Sequence, residues 1–210
     1  FGGASSNAPL GLWNKNDAGN VMKFVSLGSS NENDAYGLIP YPTSLEKRKD
    51  GKLSLKDFTA ISAAAIVNEQ SPNTVQSFAD RLKMTSGIEL TIKANAGNEE
   101  AKAINLIEDK TIKAEGYSLK VEDDRITIKA SNGAGFFYGL ETLKQLMPRD
   151  IYGKKKAANA AWEVPFLSIA DQPLLERRGF MMDVARHFFS KAEVMRVLDL
   201  MATYKLNLMH

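Results

Sequence analysis

Apolar residues follow three rhythms along this chain, and each rhythm marks a different kind of element. Val75, Phe78, Ala79 and Leu82 stand at i, i+3, i+4 and i+7, the spacing that lines one side of an α-helix. Ser71-Pro72 supplies an N-cap and a proline at the first helical position, and Gly87 a stop. Residues 88–93 alternate as a strand, and residues 117–121 and 126–129 alternate on either side of Asp123-Asp124, which predicts a β-hairpin. Helical spacing returns after Gly133-Ala-Gly135 with Phe137, Leu140, Leu143, Leu146 and Met147 on one face and Pro148 just beyond. The third rhythm is the short unbroken apolar run, seen over 58–67, 103–108 and 164–169. Leu38-Ile-Pro-Tyr-Pro42 is held extended by its prolines, and Asp50-Gly51 is a turn signal. Strands and two helices in this order predict an α+β domain of two layers, a sheet with helices on one face, over residues 36–150.

The C-terminal part reads differently. Gly179-Phe-Met-Met-Asp183 is a short apolar run with a carboxylate at its end, expected as a buried parallel strand. Ser190-Lys-Ala-Glu193 is a capping box, and Val194, Val197, Leu198 and Met201 supply the stripe of the helix it opens. Leu206-Asn-Leu-Met-His210 completes strand, loop, helix and strand, one βαβ unit. Parallel strands need cover on both faces, which two of them cannot provide. A (β/α)₈ TIM barrel of about 250 residues allots roughly 30 to each repeat. Residues 174–210 therefore fit the first βαβ unit of a truncated barrel. The loop over 184–189 then follows the C-terminal end of its first strand, where barrel enzymes place their active sites. Residues 151–173 are a connector containing Lys154-Lys155-Lys156, read as a solvated loop, and ending in the turn Asp171-Gln-Pro173. Residues 1–35, rich in Gly, Ser, Asn and Ala, are a partly flexible leader with one strand around 21–26.

Composition narrows the function. The 210 residues carry 27 Lys+Arg against 25 Asp+Glu, too even a balance for the basic footprint of a nucleic-acid binder. The absence of cysteine excludes disulfides, thiolate metal sites and a cysteine nucleophile. No apolar run approaches the roughly 18 residues needed to span a membrane. The chain opens on Phe1 without a signal pattern and is read as a piece of a longer one.

Particular residues then carry a resemblance. Arg178-Gly-Phe-Met-Met-Asp-Val-Ala-Arg-His-Phe-Phe189 with Tyr204-Lys-Leu-Asn-Leu-Met-His210 resembles the start of the catalytic barrel of glycoside hydrolase family 20, the β-N-acetylhexosaminidases. Ile39-Pro-Tyr-Pro42, Glu115-Gly-Tyr-Ser-Leu119 and Gly135-Phe-Phe-Tyr-Gly-Leu-Glu-Thr-Leu-Lys-Gln-Leu146 resemble that family's non-catalytic N-terminal domain. The resemblance implies hydrolysis of terminal non-reducing N-acetylhexosamine from β-linked glycans, assisted by the substrate's own 2-acetamido group. It implies that Arg186 binds hydroxyls of the terminal sugar, a task suited to the fork of guanidinium donors. Asp183 is a supporting residue that pairs with or orients Arg186, and His187 is a packing neighbour of the site. The family's catalytic Asp-Glu pair belongs to a later strand, and no Asp-Glu dipeptide follows Arg178. No catalytic residue is therefore assigned in this chain, which is expected to be inactive alone. No cofactor is implied, and one histidine beside one carboxylate is not a metal site. The implied partners are N-acetylhexosamine glycans and the remainder of the barrel, and the implied location is secreted or periplasmic.

Two alternatives stand beside this reading. Other N-acetylglucosamine-directed glycosidase families join a similar layer domain to a barrel, but their first strand ends in Glu-Gly-Phe-Tyr-Gly where this chain has Asp183-Val-Ala-Arg-His. A non-catalytic carbohydrate-associated support module would need an exposed aromatic platform. Trp13 and Trp162 lie in the leader and connector, and Phe136, Phe137 and Tyr138 are expected in the core.

Overall fold

The computed structural model describes residues 11–15, 22–26, 36–95 and 97–210. The chain divides into two compact units, Phe1–Tyr41 and Pro42–His210. In the first, β1 (Gly11–Lys15) and β2 (Met22–Ser26) pair antiparallel, Gly11 opposite Ser26. The strand expected around 21–26 is β2. The rest of the leader, with its reading as partly flexible, lies outside the described residues.

The second unit is built on a mixed seven-stranded sheet of order β3-β9-β7-β8-β6-β4-β5. Its strands are β3 (Ser44–Ser54), β4 (Ala60–Ala64), β5 (Thr91–Asn95), β6 (Ala103–Glu108), β7 (Tyr117–Val121), β8 (Ile126–Ala130) and β9 (Glu163–Asp171). The β3, β9, β7 and β8 neighbours run antiparallel, and β8, β6, β4 and β5 run parallel. The register sorts the side chains by face. Ile61, Ile104, Ile126, Ile128, Leu119 and Ile169 share one side and are at most 1% exposed. Ser118, Lys120, Thr127, Lys129 and Ser168 share the other. This period-two sorting gives the sheet one face to bury under helices.

The helices α1 (Ala65–Gln70), α2 (Thr74–Ser86) and α3 (Gly133–Leu146) supply that cover. α3 comes so close that a Cβ on Gly139 would stand 2.6 Å from Ile128 Cγ2. On the polar face, Ser62 and Asn105 are buried all the same, and Glu100 satisfies both. The Ser62 hydroxyl donates to its carboxylate at 3.2 Å, while Asn105 Oδ1 accepts from its amide and Asn105 Nδ2 donates to its carbonyl, each at 2.9 Å.

Most expected elements are present with shifted bounds, and the shifts have local causes. The helix expected to start at Ser71-Pro72 starts at Thr74, because the run over 58–67 passes from β4 straight into α1 and Ser71 ends that helix, its N–H donating to Val67 O at 2.8 Å. Gly87 is the left-handed cap of α2 at φ +83°, as its position predicts. Asp50-Gly51 makes no chain reversal. It lies inside β3 where the pairing with β9 slips between Lys47 and Lys52, a bulge that Gly51 accommodates at φ +94°. The hairpin around Asp123-Asp124 is β7 and β8 in register. The strand expected over 164–169 is β9, and it takes a place between β3 and β7, so the sheet draws on residues beyond 150.

After the sheet, β10 (Gly179–Phe180), α4 (Lys191–Thr203) and β11 (Leu208–Met209) form a parallel βαβ unit. The expected strand over 179–183 is parallel but shorter, and it is exposed rather than buried: Phe180 is 45% and Met181 69% accessible. The capping box is complete. Ser190 Oγ accepts from Glu193 N–H at 3.3 Å and Glu193 Oε2 accepts from Ser190 N–H at 2.7 Å, an arrangement whose loss costs a helix about 1 kcal/mol.

Candidate functional site

The loop leaving β10 is shaped by one carboxylate. Asp183 Oδ1 accepts from the N–H groups of Ala185 at 3.0 Å and Arg186 at 3.1 Å, while Oδ2 pairs with Arg186 Nε. This is an Asx-turn closed by an ion pair, and aspartate favours it because its short side chain reaches the backbone two and three residues on. The Arg186 amide, followed by its guanidinium, holds the Asp183 carboxyl below the usual carboxylate range. Of the two relations expected of Asp183, pairing with Arg186 is the one present. The Arg186 side chain is 87% accessible, and Asp183 occupies its Nε, so the terminal nitrogens carry the donors a ligand would meet. His187 packs edge-on against Phe189, ring centroids 4.9 Å apart. Arg186, Asp183 and His187 are thus brought together in one turn.

Beneath β10 and β11 lies a polar network that sequence reasoning missed. Lys205, 4% exposed, donates to the Tyr117 hydroxyl at 2.8 Å and to Asp171 Oδ2 at 3.1 Å. Tyr117 Oη also lies 2.6 Å from Thr142 Oγ1 and donates to Asp171 Oδ2 at 3.0 Å. Burial, and secondarily the Asp171 charge, pushes the Tyr117 hydroxyl well above its ordinary range. Burial also pulls the Lys205 ammonium down, against the opposing pull of Asp171. A second cluster centres on Arg178, which donates to Glu115 Oε2 at 3.0 Å, the Tyr138 hydroxyl at 2.8 Å and the Lys205 carbonyl at 2.8 Å. Glu115-Gly-Tyr117 and Asp171 stood out as motif and turn residues. Their partners Lys205 and Arg178 stand 34 to 88 positions away, a pairing that no local spacing encodes.

A cleft of about 590 Å³ opens between α3 and the βαβ unit, with Gln70, Asn132, Phe137, Tyr138, Leu198 and Met201 among its walls. None of the three loop residues lines it. Among the described residues there is no group of three or more potential metal-ligating side chains, and no helix is long and apolar enough to cross a membrane.

The sequence matches "Glycosyl hydrolase family 20, domain 2" over residues 35–172 and "Glycosyl hydrolase family 20, catalytic domain" over residues 176–210. A β-hexosaminidase of Porphyromonas gingivalis is 31% identical over 176 residues, which cover 82% of this chain and 22% of that protein. The N-acetyl-β-hexosaminidase of Streptomyces plicatus, solved with Thio-NAglucal, superimposes with a TM-score of 0.71 at 30% identity, covering 82% of this chain and 34% of that one. The exo-β-N-acetylglucosaminidase of Vibrio harveyi, solved with N-acetylglucosamine, gives 0.67 at 28% identity, covering 84% and 25%. The chain therefore spans between about a fifth and a third of the length of these relatives.

Proposed function

The chain belongs to glycosyl hydrolase family 20, and from that premise we propose that the protein containing it is a β-N-acetylhexosaminidase acting on terminal non-reducing residues of β-linked glycans. The βαβ unit is the first of a (β/α)₈ barrel, with β10 as its first strand and β11 as its second. Residues 174–210 open that catalytic domain, and the sheet domain precedes it. The protein acts outside the cytoplasm, where such glycans are met.

The observation that carries the reading is the Asp183–Arg186 turn at the C-terminal end of β10, the end of a barrel strand from which catalytic loops arise. Arg186 holds hydroxyls of the terminal sugar with its terminal nitrogens, while Asp183 fixes the guanidinium from behind and His187 packs beside it. A sugar whose ring is held in this way presents its anomeric carbon to its own 2-acetamido oxygen. That oxygen attacks as an acidic side chain protonates the leaving oxygen. The Asp-Glu pair that stabilises the acetamido group and supplies this proton comes from a later barrel strand. The relatives from Streptomyces plicatus and Vibrio harveyi are solved with Thio-NAglucal and N-acetylglucosamine, ligands of the class proposed here.

The test is hydrolysis of a chromogenic N-acetyl-β-glucosaminide by the full-length protein. Turnover is expected, and Arg186→Ala lowers kcat/KM by about a hundredfold, the worth of two charge-assisted hydrogen bonds. Undiminished activity in Arg186→Ala, or robust turnover by residues 1–210 alone, refutes the assignment of roles.

A further inference from the structure

Both polar networks grip the βαβ unit at one end. Arg178 immediately precedes β10, and Lys205 and Asn207 lie in the turn that leads into β11. The two strand starts are also tied to each other. Asn207 Oδ1 accepts from Arg178 N–H at 2.9 Å, and the Arg178 carbonyl accepts from the amides of Asn207 and Leu208 at 2.9 and 3.2 Å. The opposite end of β10 carries the Asp183–Arg186 turn, and its Met182 amide donates to His210 O at 2.8 Å. Arg178 and Asp183 are five positions apart, about 16 Å for a fully extended chain.

Two features mark these networks as more than packing. Of the three non-glycine residues with positive φ among the described residues, two belong here, Glu115 at +63° and Lys205 at +59°. Such a backbone persists where surrounding contacts over-determine it. An apolar interface of the same volume would hold two elements together at least as well as buried ion pairs do, whereas directional bonds to fixed partners single out one arrangement.

We propose that Lys205–Asp171–Tyr117 and Arg178–Glu115–Tyr138 are a positioning device, through which the sheet sets the height and angle at which β10 presents Arg186 to the sugar. Sheet strands β7 and β9 are thereby part of how the hydrolase binds substrate, although no side chain of theirs touches it. This rests on the role proposed above for Arg186.

Two substitutions in the full-length protein test it. Tyr117→Phe removes only the hydroxyl that Lys205, Asp171 and Thr142 share, and Lys205→Met keeps the aliphatic stem while deleting the charge. Each is expected to raise KM for the chromogenic N-acetyl-β-glucosaminide by about tenfold, with kcat changed by less than about twofold. In an Arg186→Ala background the same substitutions add no further loss, because the group through which they act is gone. Hydrogen exchange gives a readout independent of turnover: amides over 183–189 exchange about tenfold faster in Tyr117→Phe, while those of β4 and β6 keep their rates. Losses that add to that of Arg186→Ala, or unchanged exchange over 183–189, overturn the proposal. A wild-type protein without turnover refutes the hexosaminidase reading instead, and the exchange experiment then decides this one alone.

Discussion

Asp183 serves three donors supplied by residues two and three positions along the chain, and its titration reports how the loop is held. The Arg186 amide is the larger cause of its lowered pKa and the Arg186 guanidinium the next. A carboxyl depressed in the folded state stabilises the turn fully above its ordinary value near 3.8, and that support is lost as the pH falls through the lower folded value. Arg186→Ala deletes the guanidinium but leaves the amides of residues 185 and 186 in place. The Asp183 carboxyl carbon, followed by NMR, should therefore titrate at a higher pH than in the wild type yet still below the ordinary carboxylate value. A full return to that value would mean that the ion pair, and not the Asx-turn, shapes the loop. This pairing was legible in the sequence because Asp183 and Arg186 are three residues apart, within reach of one turn. The pairing of Lys205 with Asp171 was not, since a lysine in a short turn after a helix has the sequence signature of a solvated residue. It is buried only because β7, β9 and α3 converge on it.

Among the elements, α3 shows how far periodicity carries and where it stops. The expected stripe places Leu140, Leu143 and Leu146 on the buried side, and all three are buried. Periodicity placed Phe137 with them, but the structure buries Phe136 completely and leaves Phe137 half-buried on the side facing the cleft. Side-chain spacing alone also gave no account of Gly139. Replacing a mid-helix glycine by alanine ordinarily stabilises by about 1 kcal/mol. Here the new methyl would meet Ile128 Cγ2 at 2.6 Å and Tyr117 Cδ2 at 3.3 Å, both in buried strands. Gly139→Ala is therefore expected to destabilise by about 1–2 kcal/mol, read as a lower urea midpoint with an unchanged m-value. A raised midpoint would show that α3 can lift from the sheet. The same limit explains β3. A glycine in a turn dipeptide and a glycine in a bulge look alike in sequence, and only the partner strand, more than a hundred residues away, distinguishes them.

At the scale of the whole unit, the join between sheet and βαβ segment depends on charges that are nearly dry: the side chains of Lys205 and Asp171 are 5% and 11% accessible. Removing one member of such a pair leaves the other's charge behind, so the two deletions differ according to what each survivor still has. Without Lys205, Asp171 keeps the Tyr117 hydroxyl at 3.0 Å, the Thr43 amide at 3.0 Å and the Thr43 hydroxyl at 3.2 Å. Without Asp171, Lys205 keeps the Tyr117 hydroxyl at 2.8 Å as its side-chain partner and no opposite charge in contact. Asp171→Ala should therefore cost about 3 kcal/mol and Lys205→Met less than half as much, measured by equilibrium urea unfolding of the full-length protein. Asp171→Asn should fall between them, since an amide retains the acceptor for the Thr43 amide but not the counter-charge. The ordering follows from the pattern of donors around Asp171, so a larger loss in Lys205→Met, which keeps the aliphatic stem, than in Asp171→Ala would mean that these donors do not compensate the Asp171 carboxylate and that it is the costlier charge to leave behind.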